Sequence, residues 1–542
     1  MKIKLNKAQY IKGDIIELDV LTNEDAGELQ IKVYQRQSEM PCSIEQSRNK
    51  NTYHIKIRGL AQGAYIACIA SKSDHAETAF DIVESRTTVV RYGFLTEFEG
   101  ADNGDIAIMK EWHLNAVQFY DWMYRHDHLV SEEDEYLEPL GRKINKTNLQ
   151  KKIEECTNAG MRPIAYGAVY AATKDTFEKH PEWSLYTMDG EAMLFANWLY
   201  YMNIAEGFGW KEHILNEYKE AVEKMGFQGI HMDTYGFPKN VFDSKGNKIN
   251  LADYFKPLID EAALLVKNIN AENGVIFNAV NNWPIENVAE SRQDAVYIEV
   301  WSPNDQYADL YRLIRNARQL SGKNVVLAAY MKPFQEAAGE EAYEKAEISY
   351  LLTNAVICAS GGTQLALGGN SAILCDSYYV KHAKLREEFL PTVKKYCDYL
   401  VAYSDFMYND NGKDVSMTAS GGVNEDIIFV SGKTEFSATA QAGKVWTIIR
   451  EQENRLTIHL INLTNNNGCW NEAKEKPEKI TDICMKFRYD RKLASIYTAS
   501  PDADTIMSAL LDSTVLHGNC GRTYVIHVPE LFVWRTIVIE ME

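Results

Sequence analysis

The chain has 542 residues, 46% of them hydrophobic and 25% charged, which is ordinary for a soluble globular protein and too long for one core, so two to four domains are expected. Its 57 Lys and Arg stand against 76 Asp and Glu, and a net charge of −19 argues against nucleic acid or an anionic membrane as partner, since both need clustered cations. Nine scattered cysteines without a CxxC pair read as reduced thiols, and the opening "MKIKLNKAQYIKGDIIELDV" has no apolar h-region, so a cytoplasmic location is expected; a chain trimmed of a leader would begin in the same way.

Residues 1–88 alternate with period two. Ile16, Leu18 and Val20 share one face, as do Leu29, Ile31 and Val33, and then Tyr53, Ile55 and Ile57. Short strands separated by turn residues imply a small immunoglobulin-like antiparallel β-sandwich.

From 89 to 404 short apolar runs alternate with amphipathic helical segments. The runs are "VVRYGFL", "NAVQFY", "RPIAYGAV", "GIHMD", "GVIFNAV", "AVYIEV", "NVVLAAY" and "GTQLAL". Near-continuous apolar strands are those buried on both faces, as in parallel sheets, and eight of them predict a (β/α)8 TIM barrel. A doubly wound open sheet is the alternative, but no Gly-rich phosphate fingerprint follows any strand. Period two returns over 405–542, with Leu456, Ile458 and Leu460, then Ile483, Met485 and Phe487, then Trp534, Thr536 and Val538. A C-terminal antiparallel β-sandwich is expected there.

A barrel presents its chemistry at the C-terminal strand ends. Strand one leads to Glu97 and Glu99. Strand two leads to Asp121, Trp122 and the "RHDH" of residues 125–128. Strand three carries Tyr166 and Tyr170, strand four Asp233 and Tyr235, and strand five Asn278, Asn281, Asn282 and Trp283. Strand six delivers Glu299 and Trp301, strand seven Tyr330 and Lys332, and strand eight Gln364. Carboxylates, amides and aromatics with few cations suit hydroxyl groups and the apolar faces of sugars. Asp233 and Glu299, two strands apart, are the pair that glycoside hydrolysis needs on either side of one bond.

Each residue also has a plainer reading. A strand-end aspartate is often a turn former. Glu299 inside an apolar run is costly unless ionically paired, so a buried salt bridge is its alternative. His231 faces the same way as Asp233 and reads as a core histidine or, with Asp233, a metal ligand; no accompanying H-x-H or H-x-x-x-H supports the metal. "RHDH" reads as a mixed-charge loop or a metal site. No metal or cofactor is called for, and no G-x-S-x-G elbow supports serine catalysis.

"RYGFLTEF", "NAVQFYDWMYRHD", "GFQGIHMDTYG" and "YIEVW", in this order, resemble glycoside hydrolase family 66, the endo-dextranases and cycloisomaltooligosaccharide glucanotransferases. The flanking sandwiches agree with that family's layout. The resemblance implies cleavage of α-1,6-glucosidic bonds of dextran or isomaltooligosaccharides with retention, Asp233 as nucleophile and Glu299 as acid/base. It implies that Asp121 grips hydroxyls in the reactive subsite. Tyr166, Tyr235 and Asn278 are expected in the wall of the site, and Trp122, Trp283 and Trp301 are candidate stacking platforms. Cyclising members carry a binding module inserted in the barrel. The stretch from Tyr330 to Gly361 reads only as loop and helices, which favours hydrolysis over cyclisation. Transglycosylation and a non-catalytic α-glucan-binding protein are the competing readings. Family members are commonly secreted, so an enzyme acting on imported isomaltooligosaccharides is the expectation for a chain without a leader.

Overall fold

The computed structural model of the chain describes residues 1–23, 26–100, 104–236, 240–518 and 521–542. Three groups of sheets follow one another along it. Residues 2–83 form a four-stranded and a five-stranded sheet. Ile16, Leu18 and Val20 of strand Ile16–Leu21 and Tyr53, Ile55 and Ile57 of strand Thr52–Arg58 are all buried between them. The alternation read from the sequence thus has its physical counterpart: one face of each strand supplies this core.

The middle of the chain forms an eleven-stranded sheet. Its parallel strands run in chain order: Tyr92–Leu95, Ala116–Phe119, Arg162–Ala168, Gly229–Asp233, Gly274–Asn278, Ala295–Glu299 and Asn324–Ala328. The eighth segment is split. Thr363–Gln364 pairs with strand seven, and Leu367–Gly368 pairs with strand one through Phe94 and Gly368. The sheet therefore curls until its last parallel segment meets its first strand. Helices Lys146–Asn158, Trp210–Met225, Ala252–Ile269, Tyr307–Ser321 and Glu340–Ala359 fall between successive strands, and their buried sides are mostly apolar. Such connections are what parallel pairing requires, because each strand must start again at the same edge.

Two glycines let strands four and five approach at their starts. A Cβ on Gly229 would lie 2.4 Å from the carbonyl oxygen of Gly274, and one on Gly274 only 1.8 Å from Asp294 Oδ2. That carboxylate is needed where it is: it pairs with buried Arg162 at 2.7 Å, at the start of strand three.

The C-terminal sheets have seven and four strands. Ile483, Met485 and Phe487 point between them, as do Ile458, Ile537 and Ile539. Strand Trp534–Met541 departs from the sequence reading. Trp534 packs edge-on to Tyr399 of helix Leu390–Ala402 at 5.1 Å, and Thr536 Oγ1 accepts from the Tyr399 hydroxyl at 2.7 Å. The periodic face Trp534, Thr536, Val538 is thus turned to the central sheet's helices, and the opposite face fills the sandwich. Both faces are buried, so alternation alone could not assign them.

One carboxylate ties the N-terminal sheets to the middle of the chain. Asp398 accepts from Thr78 Oγ1 and the Ala79 amide at 2.9 Å, from His113 Nε2 at 2.8 Å and from Lys394 Nζ at 2.6 Å. Burial alone would raise its pKa; the Lys394 charge and the His113 bond outweigh that and hold it at about 2.

Candidate active site

Strand four ends on Asp233, strand five on Asn278 and strand six on Glu299, so three consecutive strands each deliver one side chain to the same mouth. Asn278 stands in the middle and joins the other two. Its Nδ2 donates to Asp233 Oδ1 at 2.8 Å and to Glu299 Oε2 at 3.0 Å, while its Oδ1 accepts from the Glu299 amide at 3.3 Å. Two oxygens that share one nitrogen cannot lie farther apart than the sum of those distances. A planar amide giving one hydrogen to each places them about 5 Å apart.

The remaining oxygens have partners too. The Tyr166 hydroxyl donates to Asp233 Oδ2 at 2.7 Å, and the Thr234 amide to Asp233 Oδ1 at 3.0 Å. The Tyr330 hydroxyl donates to Glu299 Oε1. No Lys or Arg is among these partners, and among the described residues Glu299 forms no salt bridge, the alternative its sequence allowed. Burial raises the Glu299 pKa and the charge of Asp233 raises it further, against the bonds from Tyr330 and Asn278. Burial also pushes Asp233 up, and Tyr166, Asn278 and Thr234 pull it back, since all three favour the ionised form.

Asp121 stands two residues beyond the end of strand two, with its backbone in the left-handed region (φ 50°). It is buried, its carboxylate makes no hydrogen bond among the described residues, and burial followed by the charge of Glu138 pushes its pKa to about 7 despite Arg142. Tyr120 beside it stacks on Tyr379 at 4.3 Å and lies 5.2 Å from Tyr166.

Of the three candidate tryptophans, Trp301 is the most open to solvent. It is 44% exposed and packs edge-on to Tyr330 at 5.8 Å. Trp122 is a correction to the sequence reading: it is fully buried, packs on Phe227 at 4.7 Å and donates its indole N–H to the Tyr166 carbonyl at 3.1 Å. An apolar ring next to a strand end can turn inward to the core as easily as toward a ligand, and the position alone does not distinguish the two. Trp283 is half-buried, edge-on to Phe255 of helix Ala252–Ile269 at 5.6 Å. Tyr235 gives its hydroxyl to the Met202 carbonyl and places its ring against Tyr170 and Tyr201, at 5.3 and 5.6 Å. Tyr330 carries a larger part than its place at the end of "NVVLAAY" revealed, because its contact with Glu299 crosses from strand seven to strand six. Glu97, Glu99 and Lys332 are exposed, and Gln364 is buried, donating to the Ala329 carbonyl at 3.3 Å.

His231 lies one layer beneath. Its ring sits edge-on to Tyr297 at 4.7 Å, Nδ1 is 3.3 Å from the Tyr92 hydroxyl, and burial lowers its pKa to about 3. It is a neutral core histidine under the carboxylates. Among the described residues no group of three His, Cys, Asp or Glu could hold a metal ion. No helix among them is long and apolar enough to cross a membrane.

Two half-buried carboxylates joined across a mouth of parallel strands, ringed by aromatic and amide groups, form the kind of site found in enzymes that cleave or transfer glycosidic bonds. The family model described as glycosyl hydrolase family 66 matches residues 5–538, and the chain belongs to that family. A cycloisomaltooligosaccharide glucanotransferase of Niallia circulans is 23% identical over 705 residues, covering 99% of this chain and 71% of that protein. A dextranase of Streptococcus salivarius is 24% identical over 385 residues, covering 61% of this chain and 46% of that one. A solved cycloisomaltooligosaccharide glucanotransferase of Paenibacillus sp., complexed with cycloisomaltoheptaose, shares the fold with a TM-score of 0.89 over 99% of both chains at 21% identity.

Proposed function

We propose that the protein is a retaining endo-dextranase, hydrolysing α-1,6-glucosidic bonds of dextran or isomaltooligosaccharides through a covalent glucosyl–Asp233 intermediate. The observation that carries this reading is the single amide nitrogen shared by Asp233 and Glu299. It limits their nearest oxygens to a separation within reach of the roughly 5–5.5 Å of retaining enzymes and too short for the roughly 6.5–9.5 Å at which inverting enzymes seat a water.

In the first step Asp233 attacks the anomeric carbon as Glu299 protonates the departing glycosidic oxygen. The C1–O bond to the leaving chain breaks and a C1–Oδ ester forms. In the second step Glu299, now a carboxylate, takes a proton from water. The hydroxide oxygen bonds to C1, the ester breaks, and Asp233 leaves as a carboxylate. Asn278 holds both acids in register throughout. Asp121 has unengaged oxygens for sugar hydroxyls, and Trp301 offers a ring beside Glu299. In this reading the curled parallel sheet is a (β/α)8 barrel over residues 89–404, flanked by β-sandwiches over 1–88 and 405–542.

Two observations favour hydrolysis over cyclisation. The connection after strand seven holds only helices Lys332–Glu336 and Glu340–Ala359. The 705-residue match exceeds the 542 residues of this chain, so the Niallia glucanotransferase carries stretches without a counterpart here. The likeness to glucanotransferases supports a second reading, transglycosylation, in which a sugar hydroxyl replaces water in the second step. Incubation with dextran, followed by assay of reducing ends and of product identity, tests both. Linear isomaltooligosaccharides with rising reducing ends support hydrolysis, cyclic products support transfer, and no bond cleavage by the folded protein sinks both.

A further inference from the structure

The loop after strand three carries a hairpin that the reaction above does not use. Strands Leu194–Phe195 and Leu199–Tyr201 pair antiparallel, and Tyr201 is joined in turn to Ala171. The tip is a tight turn in which the Trp198 amide donates to the Phe195 carbonyl at 3.2 Å. Ala196 and Asn197 both have left-handed backbones (φ 50° and 64°), a conformation that suits asparagine and strains alanine. The turn holds two large rings in the open: Phe195 is 46% exposed and Trp198 37%.

Single exposed aromatics are common on any protein. These two end a chain of ring contacts, mostly between buried rings, that leads back to the carboxylates. Phe195 lies 6.0 Å from Tyr170, whose neighbours Tyr201 and Tyr235 are within 5.1 and 5.3 Å. Trp198 lies 6.1 Å from His126, and His126 6.4 Å from Tyr166, the ring whose hydroxyl holds Asp233. His126 brings a second, independent observation. It is more than nine-tenths buried, and its Nδ1 has no hydrogen-bond partner. Its loop is pinned, since Asp127 Oδ2 accepts from both the amide and the hydroxyl of Thr173 at 2.7 Å.

We infer that Phe195, Trp198 and His126 form a remote glucosyl subsite, in which the rings stack on the C–H face of a sugar unit and the imidazole meets one of its hydroxyls. This rests on the α-1,6-glucanase reading above and adds that the enzyme gains specificity from chain length. A neutral glucan unit is the occupant because the patch is aromatic and continuous with the carboxylate mouth, and burial keeps the imidazole uncharged, its pKa lowered to about 4.

The test compares kcat/KM on high-molecular-weight dextran with kcat/KM on a 4-nitrophenyl α-isomaltoside, which carries only two glucosyl units. In Trp198→Ala and in Phe195→Ala the ratio of the two falls roughly tenfold, through KM for dextran, while Trp198→Tyr restores most of it. His126→Ala lowers the same ratio. An unchanged ratio in all three alanine variants overturns the subsite. Failure of the wild-type protein to turn over either substrate overturns the glucanase reading instead.

Discussion

Asp233 and Glu299 accept hydrogen bonds from one nitrogen, Asn278 Nδ2, at 2.8 and 3.0 Å. The arrangement sets the spacing of the two acids and also their electrostatics, because the carboxylate of one raises the pKa of the other across that short gap.

Asp233→Asn and Glu299→Gln each lower kcat on dextran by about 10³-fold or more with little change in melting temperature, since both replacements keep shape and hydrogen bonding. Azide separates the roles. It restores turnover of an activated substrate by Glu299→Gln with retained configuration in the glycosyl azide, because the nucleophile is intact and the small anion needs no base. Near-wild-type activity in either variant refutes the role assigned to that residue.

Asn278→Ala moves the whole pH–rate bell to higher pH. The amide donates to both carboxylates and so stabilises their ionised forms; its loss raises both pKa values. The acidic limb, which follows ionisation of Asp233, and the alkaline limb, which follows loss of the Glu299 proton, both shift upward. A kcat loss of about 10²-fold accompanies the shift, from misplacement of the pair. A stationary bell refutes the shared-donor account.

Tyr330→Phe acts on one limb. Of the two acids its hydroxyl bonds Glu299, and removing it raises the Glu299 pKa, so the proton is kept to higher pH and the alkaline limb alone moves up. Tyr166→Phe is the mirror experiment: Asp233 loses a donor, and the acidic limb moves up. Identical profiles for the two variants contradict the division of roles between the acids.

Trp122 and Trp301 respond in opposite ways to alanine. Loss of the fully buried Trp122 ring leaves a cavity and costs about 3–5 kcal/mol of stability, read as a lower melting temperature or insoluble protein. Trp301→Ala keeps the melting temperature and weakens isomaltooligosaccharide binding by about 1 kcal/mol, measured by titration calorimetry. Equal effects of the two substitutions on stability contradict their different placement.

Asp398→Asn reports on the contact between the N-terminal sheets and the middle of the chain. The folded pKa of about 2 lies below the unfolded value near 3.8, so the interaction contributes fully above about pH 4 and is lost as pH falls through about 2. A difference of that size corresponds to about 2.5 kcal/mol for this buried group. Calorimetry shows the variant melting below the wild type at pH 7, with the gap narrowing toward pH 2. A gap independent of pH rules out the ionised form of Asp398 as its source.

Local pattern carried much of this protein. Eight apolar runs of five to eight residues marked the seven parallel strands and the split stretch that follows them, because a strand covered on both faces can hold few polar side chains. The carboxylates Asp233 and Glu299 were legible for the same reason: each is a charge standing at the end of an apolar run. The "RHDH" loop was visible as well, though not the neighbour that gives His126 a use.

Contacts between strands distant in sequence were decided only by the folded chain. Asn278 reads as one more strand-end amide until strands four and six flank it and its two hydrogens find two acids. Trp122 and Trp301 share the same local signature, an aromatic residue within two positions of a strand-end acid. Only the neighbouring Phe227 and Tyr166 send one ring into the core, and only the curl of the sheet leaves the other in the open. Sequence specifies which surfaces must be buried, since that is a property of each side chain with water. Which groups then meet depends on the register and closure of the sheet, and these are set by all the strands together.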